Sequence, residues 1–442
     1  MAQWRALPLV FSVSSENRAT LHVSSDARDA LLSIHTQTIG VLGVFGPPAS
    51  GKRLLLKTML QPHDVDFSSS PEDRNNVFLW IWLPKDGAMK ADGKARVVLA
   101  AGAALETENR QHTEDQKLAL LLLLSSSLLY NADGEIDGKA VERLQWLEKV
   151  AQVLRVKAMQ DEEAVASEFR EHAPKFIWLA RNFKIKWLKN AEGQKLTPMQ
   201  YFEQCLAPEG GYGEAATKRN KLRTFLESFF PARDCVALSR AMEGSGTEIV
   251  SLETPRSELR KQFVEAVDEV YVNYLSEKGQ QLPSKTLMGH ELRSEHFVAV
   301  LDTYVDAINT EQLPTMQNAS NSLLEQEITE AFQGATQIYA KEMEKQSNDG
   351  KAISERDIYI AHFRGVQAAT THTREVCLSL PERLQKRLFK DSMADWETQV
   401  KHDVKGTLEH STKLSTKICT KTLERVLPQN LEAMCTQLAE RL

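Results

Sequence analysis

The stretch "GPPASGKR", residues 46–53, constrains the fold of this chain more than any other feature. Gly46, Gly51 and Lys52 match the pattern G-x-x-x-x-G-K-[ST], in which backbone N–H groups surround phosphate oxygens. The apolar run "IGVLGVF" (39–45) precedes the loop and predicts a buried strand, and "KRLLLKTML" follows it and predicts a helix. A strand, a glycine-rich loop and a helix in this order are typical of an α/β nucleotide-binding domain.

The last position of this pattern is different from what magnesium binding requires. A Ser or Thr hydroxyl binds the cation there, whereas this chain has Arg53, a side chain without an acceptor. Arg53 is predicted either to fill the magnesium space, paired with Asp64, Asp66 or a phosphate, or to face solvent. Lys52 and the loop N–H groups predict a phosphate contact, but a glycine-rich turn without any ligand fits the same letters.

The chain divides into two parts with different patterns. Up to residue 250, short apolar runs alternate with helical segments, which predicts buried parallel strands between helices. From 251 to 442, apolar residues recur at helical spacing between prolines, which predicts an all-α domain. We therefore predict an α/β domain over 1–250, with a mostly parallel central sheet flanked by helices, and a helical domain over 251–442. The runs assigned to strands are 39–45, 77–83, 95–100, 175–180 and 234–239.

Two further stretches bear on length and membrane attachment. The longest apolar stretch, "LALLLLLSSSLLY" (118–130), predicts a buried core helix, because it is shorter than the roughly 20 residues that span a bilayer. The pattern "NLEAMCTQLAERL" (430–442) is helical to its last residue, which indicates that a longer stalk can follow Leu442. The chain ends without a prenylation motif.

Composition limits the partners and sites that the chain supports. A net charge of −6 gives no basis for binding nucleic acid. The five cysteines are odd in number and form no C-x-x-C pair, which argues against a zinc site and favours a reducing, cytoplasmic location. We predict no metal site, no nucleic-acid partner and no transmembrane segment.

Five segments, in chain order, resemble the guanylate-binding protein family. "WIWLP" (80–84) resembles the strand after the family's first switch, and 125–147 resembles the helix, turn and helix after its second switch. Residues 176–206 resemble the stretch with the guanine-reading Arg-Asp, and 227–242 resemble the strand and loop after it. Residues 303–319 resemble the first long helix of the middle domain. The resemblance implies a large dynamin-type G domain followed by an elongated helical domain.

Several site positions of that family carry other residue types in this chain. By the resemblance, Arg53 replaces the magnesium-binding Ser, and Ala49 replaces the loop arginine that stabilises the transition state. In the family's D-T-E-G, the Asp falls on Ala101 and the Gly on Ala104. The strand pattern agrees, because "ARVVLA" runs into alanines where a nucleotide triphosphatase needs an acid to orient magnesium. No catalytic residue is therefore predicted.

The base-reading pair differs as well. The resemblance places the family's Arg-Asp on Arg181 and Asn182. An Asp carboxylate accepts two hydrogen bonds from guanine, whereas an Asn amide offers one acceptor and one donor. The positions that would contact a bound nucleotide are Gly46, Ser50, Gly51, Lys52, Arg53, Arg181 and Asn182.

Two functions are open at this point. The first is a pseudo-GTPase that has no cofactor, lost or strongly weakened GTP binding and hydrolysis, and serves as a scaffold for another protein or for itself as a homodimer. The second is an atypical GTP-binding protein with slow hydrolysis and nucleotide-dependent dimerisation, which holds GTP or GDP weakly and without the usual magnesium coordination. The altered positions favour the first.

Overall fold

The structure, a computed structural model, divides the chain into two compact units, Met1–Ser320 and Asn321–Leu442. The residues that it describes are 4–15, 18–34, 38–47, 50–60, 77–84, 93–102, 110–148, 173–184, 188–189, 193–211, 213–243, 250–252, 254–276, 278–287, 290–310, 316–345, 353–377 and 382–439.

An eight-stranded sheet forms the centre of the first unit, in the order β2-β1-β4-β5-β3-β6-β7-β8. Strands β5, β3, β6, β7 and β8 are parallel to one another, which confirms the predicted mostly parallel sheet. Strand β4 is antiparallel to both of its neighbours, so the prediction of a parallel strand over 77–83 was wrong. A continuous apolar run indicates burial on both faces of a sheet but does not determine the direction of the strand. The strands are β1 (Trp4–Ser15), β2 (Arg18–Val23), β3 (Thr38–Phe45), β4 (Val77–Pro84), β5 (Lys94–Ala101), β6 (Ser127–Asp133), β7 (Lys175–Arg181) and β8 (Arg233–Ala237).

Helices surround this sheet. The core continues from the sheet through α2 into α7, where Phe263 and Val267 are buried in the same cluster as Leu55 and Met59. The α-helices are α1 (Ser25–Leu32), α2 (Lys52–Leu60), α3 (Arg110–Leu124), α4 (Gly138–Glu142), α5 (Pro198–Leu206), α6 (Glu214–Phe229), α7 (Lys261–Tyr274) and α8 (Ser294–Asn309). Two 3-10 turns, Arg143–Gln145 and Arg256–Glu258, and a short hairpin of β9 (Thr286–Leu287) and β10 (His290–Glu291) complete the unit.

The stretch 118–130 is a helix followed by a strand, and the prediction of a single core helix was wrong. Helix α3 ends at Leu124, where the Ser125 hydroxyl donates to the Leu121 carbonyl at 2.6 Å. The Ser126 hydroxyl accepts from the Val41 amide at 2.8 Å and donates to the Val41 carbonyl at 3.1 Å, which fixes the start of β6 beside β3. For the same reason the segment 125–147 begins with a strand.

Helix α8 is part of the first unit. Arg28 of α1 makes two hydrogen bonds of 2.7 and 2.6 Å to the Asp302 carboxylate of α8. At the end of α8, the Asn309 side chain accepts from the Leu21 amide and donates to the Leu21 carbonyl, both at 2.8 Å. Asn309 thereby covers part of the edge strand β2. The compact division accordingly falls after residue 320, and a domain boundary at 250/251 stays a prediction.

The second unit is helical. Its helices are α9 (Met316–Glu344), whose first residues up to Ser320 belong to the first unit, α10 (Glu355–Cys377) and α11 (Glu382–Ala439). Phe332 and Tyr339 of α9 pack with Trp396 of α11, whose indole N–H donates to the Thr336 hydroxyl at 3.2 Å. Across the described ranges of both units, no helix combines the length and apolar character that crossing a bilayer requires.

Candidate nucleotide site

The glycines of the loop between β3 and α2 cannot be replaced without a clash. Gly46 has φ +152°, and a Cβ there would lie 2.3 Å from the Asn131 carbonyl oxygen. Gly51 has φ +78°, and its Cβ would lie 1.6 Å from Arg181 Nη1. Both positions need glycine for conformation and for space. Since α2 begins at Lys52, the loop leads into a helix N-terminus, whose free N–H groups can bind phosphate.

Two side chains from the neighbouring strands β6 and β7 hold Ser50 of the loop. Asn131 Nδ2 donates to the Ser50 carbonyl at 2.8 Å and contacts the Ser50 hydroxyl at 3.2 Å. The Arg181 guanidinium donates to the same Ser50 carbonyl. Burial lowers the pKa of Arg181, and the charge of Asp133 acts in the opposite direction. The described residues offer no hydrogen-bond partner to Asn131 Oδ1 or Arg181 Nε, both of which are buried.

The ammonium group of Lys52 is hydrogen-bonded to the backbone of the loop. Its Nζ donates to the carbonyls of Gly46 and Pro47 at 2.7 and 2.9 Å. Burial lowers the pKa of Lys52 to about 8, while the Glu114 carboxylate acts to raise it and the Lys117 ammonium acts to lower it. A phosphate at the loop would replace these carbonyls as the partner of a cation that already lies in the right place.

Glu114 and Lys117 are charged neighbours of Lys52 that the sequence did not reveal. Lys117 is 1% exposed, its Nζ lies 2.8 Å from Glu114 Oε1, and it lies 5.5 Å from the centre of the Phe78 ring. Both residues are on α3 and one turn apart. A lysine within an apolar helix indicates that its ammonium group has a charged or aromatic partner in the fold, because an unpaired buried charge is costly.

The two positions for magnesium ligands do not fit that ion. Arg53 is exposed on the first turn of α2, and Ala101 is the last residue of β5. A guanidinium and a methyl group supply no oxygen ligand to a magnesium ion. Ala49, Ala104 and the two acids suggested as partners of Arg53 lie outside the described residues. Within the described ranges no group of three or more His, Cys, Asp or Glu side chains could hold a metal ion.

The predicted base-reading residue Asn182 contacts a carboxylate. Asn182 follows β7 directly and has φ +53°, a conformation that Asn adopts more readily than most residues. Its Nδ2 donates to Asp133 Oδ1 at 2.5 Å. Asp133, which is exposed, ends β6 opposite Arg181 in the β6–β7 register. Asn131 and Asp133 were missed from the sequence, although polar residues in the last positions of an otherwise apolar strand indicate the carboxyl edge of a parallel sheet.

A glycine loop with its lysine lies between a strand and a helix at this edge of the sheet, and side chains from β6 and β7 hold it. Fold and loop define a domain of the phosphate-loop nucleotide-binding class. Comparison with known families gives the particular family. The chain matches the model of the guanylate-binding protein N-terminal domain over residues 18–282 and that of the guanylate-binding protein C-terminal domain over 288–437. The chain belongs to the guanylate-binding protein family.

Individual relatives are distant in sequence. Mouse guanylate-binding protein 1 is 28% identical over 319 residues, which cover 71% of this chain and 52% of the relative. Mouse guanylate-binding protein 7 is 28% identical over 337 residues, or 75% and 51% of the two chains. Human guanylate-binding protein 7 is 26% identical over 349 residues, or 78% and 53%. The chain therefore spans about half the length of the curated relatives that it matches.

Proposed function

We propose that the chain is a pseudo-GTPase of the guanylate-binding protein family, which keeps the G-domain fold, has lost or strongly weakened GTP binding and hydrolysis, and serves as a protein-interaction or scaffold module. The observation that carries this proposal is Ala101 at the end of β5, together with Arg53 at the start of α2. Two oxygen contacts to magnesium are missing together, and waters that could replace one ligand do not orient the ion as two protein side chains do.

The rate expected from this site is very low. Hydrolysis of a triphosphate depends on positioned positive charge around the transferred phosphoryl group. Each preorganised contact of this kind is commonly worth roughly a hundredfold or more in rate. The site lacks the two magnesium ligands, and the sequence has Ala49 where the family has its loop arginine. Lys52 remains available as a cation for phosphate.

Steady-state turnover of GTP with magnesium tests the proposal. We expect release of inorganic phosphate at the background rate for the purified chain, and the same rate for Lys52→Ala. Turnover comparable to that of an ordinary nucleotide triphosphatase, abolished by Lys52→Ala, would show that the site is catalytic.

A second candidate has support from the loop geometry. The conformations of Gly46 and Gly51 and the hydrogen bonds that hold Ser50 suit a phosphate-binding loop, which favours an atypical GTP-binding protein with slow hydrolysis and nucleotide-dependent dimerisation. A ligand changes an equilibrium only through its different affinity for the two states. Under the pseudo-GTPase proposal, light scattering should give one association state without nucleotide, with GDP, and with a non-hydrolysable GTP analogue and magnesium. A shift from monomer to dimer on adding the analogue would favour the second candidate.

We place this scaffold in the cytoplasm, bound to another protein or to a second copy of itself. The absence of any C-x-x-C pair among its five cysteines supports a reducing compartment, and its net charge of −6 argues against nucleic acid as the partner.

A further inference from the structure

The carboxyl ends of β6 and β7 place a carboxylate beside Asn182. Asp133 is opposite Arg181 in the register, and the Gly134 amide donates to the Arg181 carbonyl at 2.7 Å. These contacts fix the residues after both strands side by side. The 2.5 Å hydrogen bond from Asn182 Nδ2 to Asp133 Oδ1 then holds the two side chains against each other.

We propose that Asp133, held by Asn182, reads the base of a guanine nucleotide in this chain. This inference rests on the proposed function, because it concerns the nucleotide that a site without hydrolysis still selects. Guanine presents two N–H donors, N1–H and the N2 amino group, and a carboxylate is the side chain that accepts both. The acceptor that position 182 lacks is therefore supplied from the neighbouring strand.

The position of the pair relative to the phosphate loop supports this assignment. Arg181 contacts the Ser50 carbonyl of the loop, and Asn182 is the next residue in the chain. The pair and the loop thus lie at the same carboxyl edge of the parallel strands, where nucleotides bind in folds of this class.

The turn after β8 borders the other side of the pair. The Leu238 amide donates to the Ala180 carbonyl and the Phe183 amide donates to the Leu238 carbonyl, both at 2.8 Å. The end of β8 is thereby fixed next to the residues on either side of Asn182.

The chemistry of the pair distinguishes guanine from other bases. Hypoxanthine lacks the N2 amino donor, and xanthine has a carbonyl oxygen in its place, which a carboxylate repels. Adenine presents an acceptor at N1 where guanine has a donor. Asn182 without Asp133 would suit an edge with one donor and one acceptor, so the identity of residue 133 decides which base is preferred.

Calorimetric titration of the full chain with GDP, IDP, XDP and ADP tests the proposal, in EDTA and again with magnesium. We expect GDP to bind about tenfold more tightly than IDP, the change in affinity for one hydrogen bond at a partly exposed site. Asp133→Asn should weaken GDP at least about tenfold and reduce the ratio of IDP to GDP dissociation constants to about three or less. The exchange Asp133→Asn with Asn182→Asp should restore the preference for GDP, since both residue types tolerate the positive φ at 182.

Glu135→Gln is the matched control, because it removes an exposed carboxylate two residues further along the same segment. It should leave the GDP and IDP affinities unchanged, and circular dichroism of each variant checks that it folds. A wild-type chain that binds GDP and IDP equally, or binds neither, would overturn the proposal without any variant. An Asp133→Asn chain that keeps the wild-type preference would overturn it too.

These outcomes are separate from those of the proposed function. GTP turnover on the same wild-type sample contradicts the pseudo-GTPase proposal and leaves base recognition by Asp133 standing. A sample without turnover and without guanine preference supports the pseudo-GTPase proposal and removes this inference.

Discussion

Lys285 is a buried lysine whose titration should be measurable in the stability of the first unit. Its Nζ donates to the Ser125 carbonyl at 2.9 Å, and its backbone amide donates to the Ile39 carbonyl at 2.7 Å. Burial lowers the pKa of Lys285 to about 7. An amine without its extra proton can still donate this hydrogen bond, so the neutral form is the one that suits the folded state.

The sign and size of the effect follow from linkage. The folded-state pKa lies below the value of about 10.4 in an unfolded chain, so between these values the unfolded state binds about one more proton. The free energy of unfolding therefore rises with pH, by up to about 1.4 kcal/mol per pH unit. Integrated from pH 7 to pH 9, where the folded form changes from half to almost fully neutral, Lys285 contributes about 2 kcal/mol.

Urea unfolding at pH 7, 8 and 9, compared between wild type and Lys285→Met, measures this contribution. The difference between the two free energies of unfolding should change by about 2 kcal/mol across the range, while the other titrating groups cancel. Lys261→Met is the control, because the Lys261 side chain is 88% exposed and its curve should follow that of wild type. Curves for wild type and Lys285→Met that stay parallel within about 0.5 kcal/mol would refute the reasoning that burial neutralises this amine.

Intrinsic fluorescence is the probe for this experiment, because six of the seven tryptophans belong to the first unit: Trp4, Trp80, Trp82, Trp146, Trp178 and Trp187.

Three further predictions concern packing. Gly51→Ala should displace the Arg181 side chain and strain a backbone at φ +78°, and so lower the melting temperature of the first unit by calorimetry. Asn309→Ala should cost about 1–3 kcal/mol by leaving both polar groups of Leu21 without a side-chain partner, and amide exchange at Leu21 should become faster; unchanged exchange would contradict it. Trp396→Ala should destabilise the second unit by about 3–5 kcal/mol, followed by circular dichroism, and a loss below about 1 kcal/mol would show that this core is not tightly packed.

Local patterns were sufficient for the strand, loop and helix of the candidate site. The run 39–45 is apolar and forms a buried strand. The glycines at 46 and 51 have positive φ angles, which glycine adopts more readily than other residues. Sheet membership was harder to predict. The start of strand β6 is fixed by the hydrogen bonds between Ser126 and Val41, a residue 85 positions earlier. Helix propensity depends on local sequence only, so it could not predict that the helix ends before this point.

The residues of the proposed base-binding end could be predicted only in part. Asn182 was identified through the resemblance, whereas its partner Asp133 depends on the register between β6 and β7, which is a long-range property. Lys117 and Glu114 belong to the surroundings of Lys52 only after α3 has packed on the sheet. Contacts of this kind are fixed by tertiary structure, so they cannot be predicted from the local sequence around each residue.

The docking of α7 and α8 has a consequence for the order in which the protein acquires its structure during synthesis. When residue 250 has been added, all eight strands of the sheet exist, but the apolar face of α2 lacks α7 and the edge of β2 lacks Asn309. At roughly 5–20 residues per second, the ribosome needs roughly 3–12 s to add the next 60 residues. During that interval the nascent chain exposes both a hydrophobic surface and an unpaired strand edge. The first unit therefore becomes a complete folding unit only late, and chaperone binding to the nascent chain should concentrate in this interval.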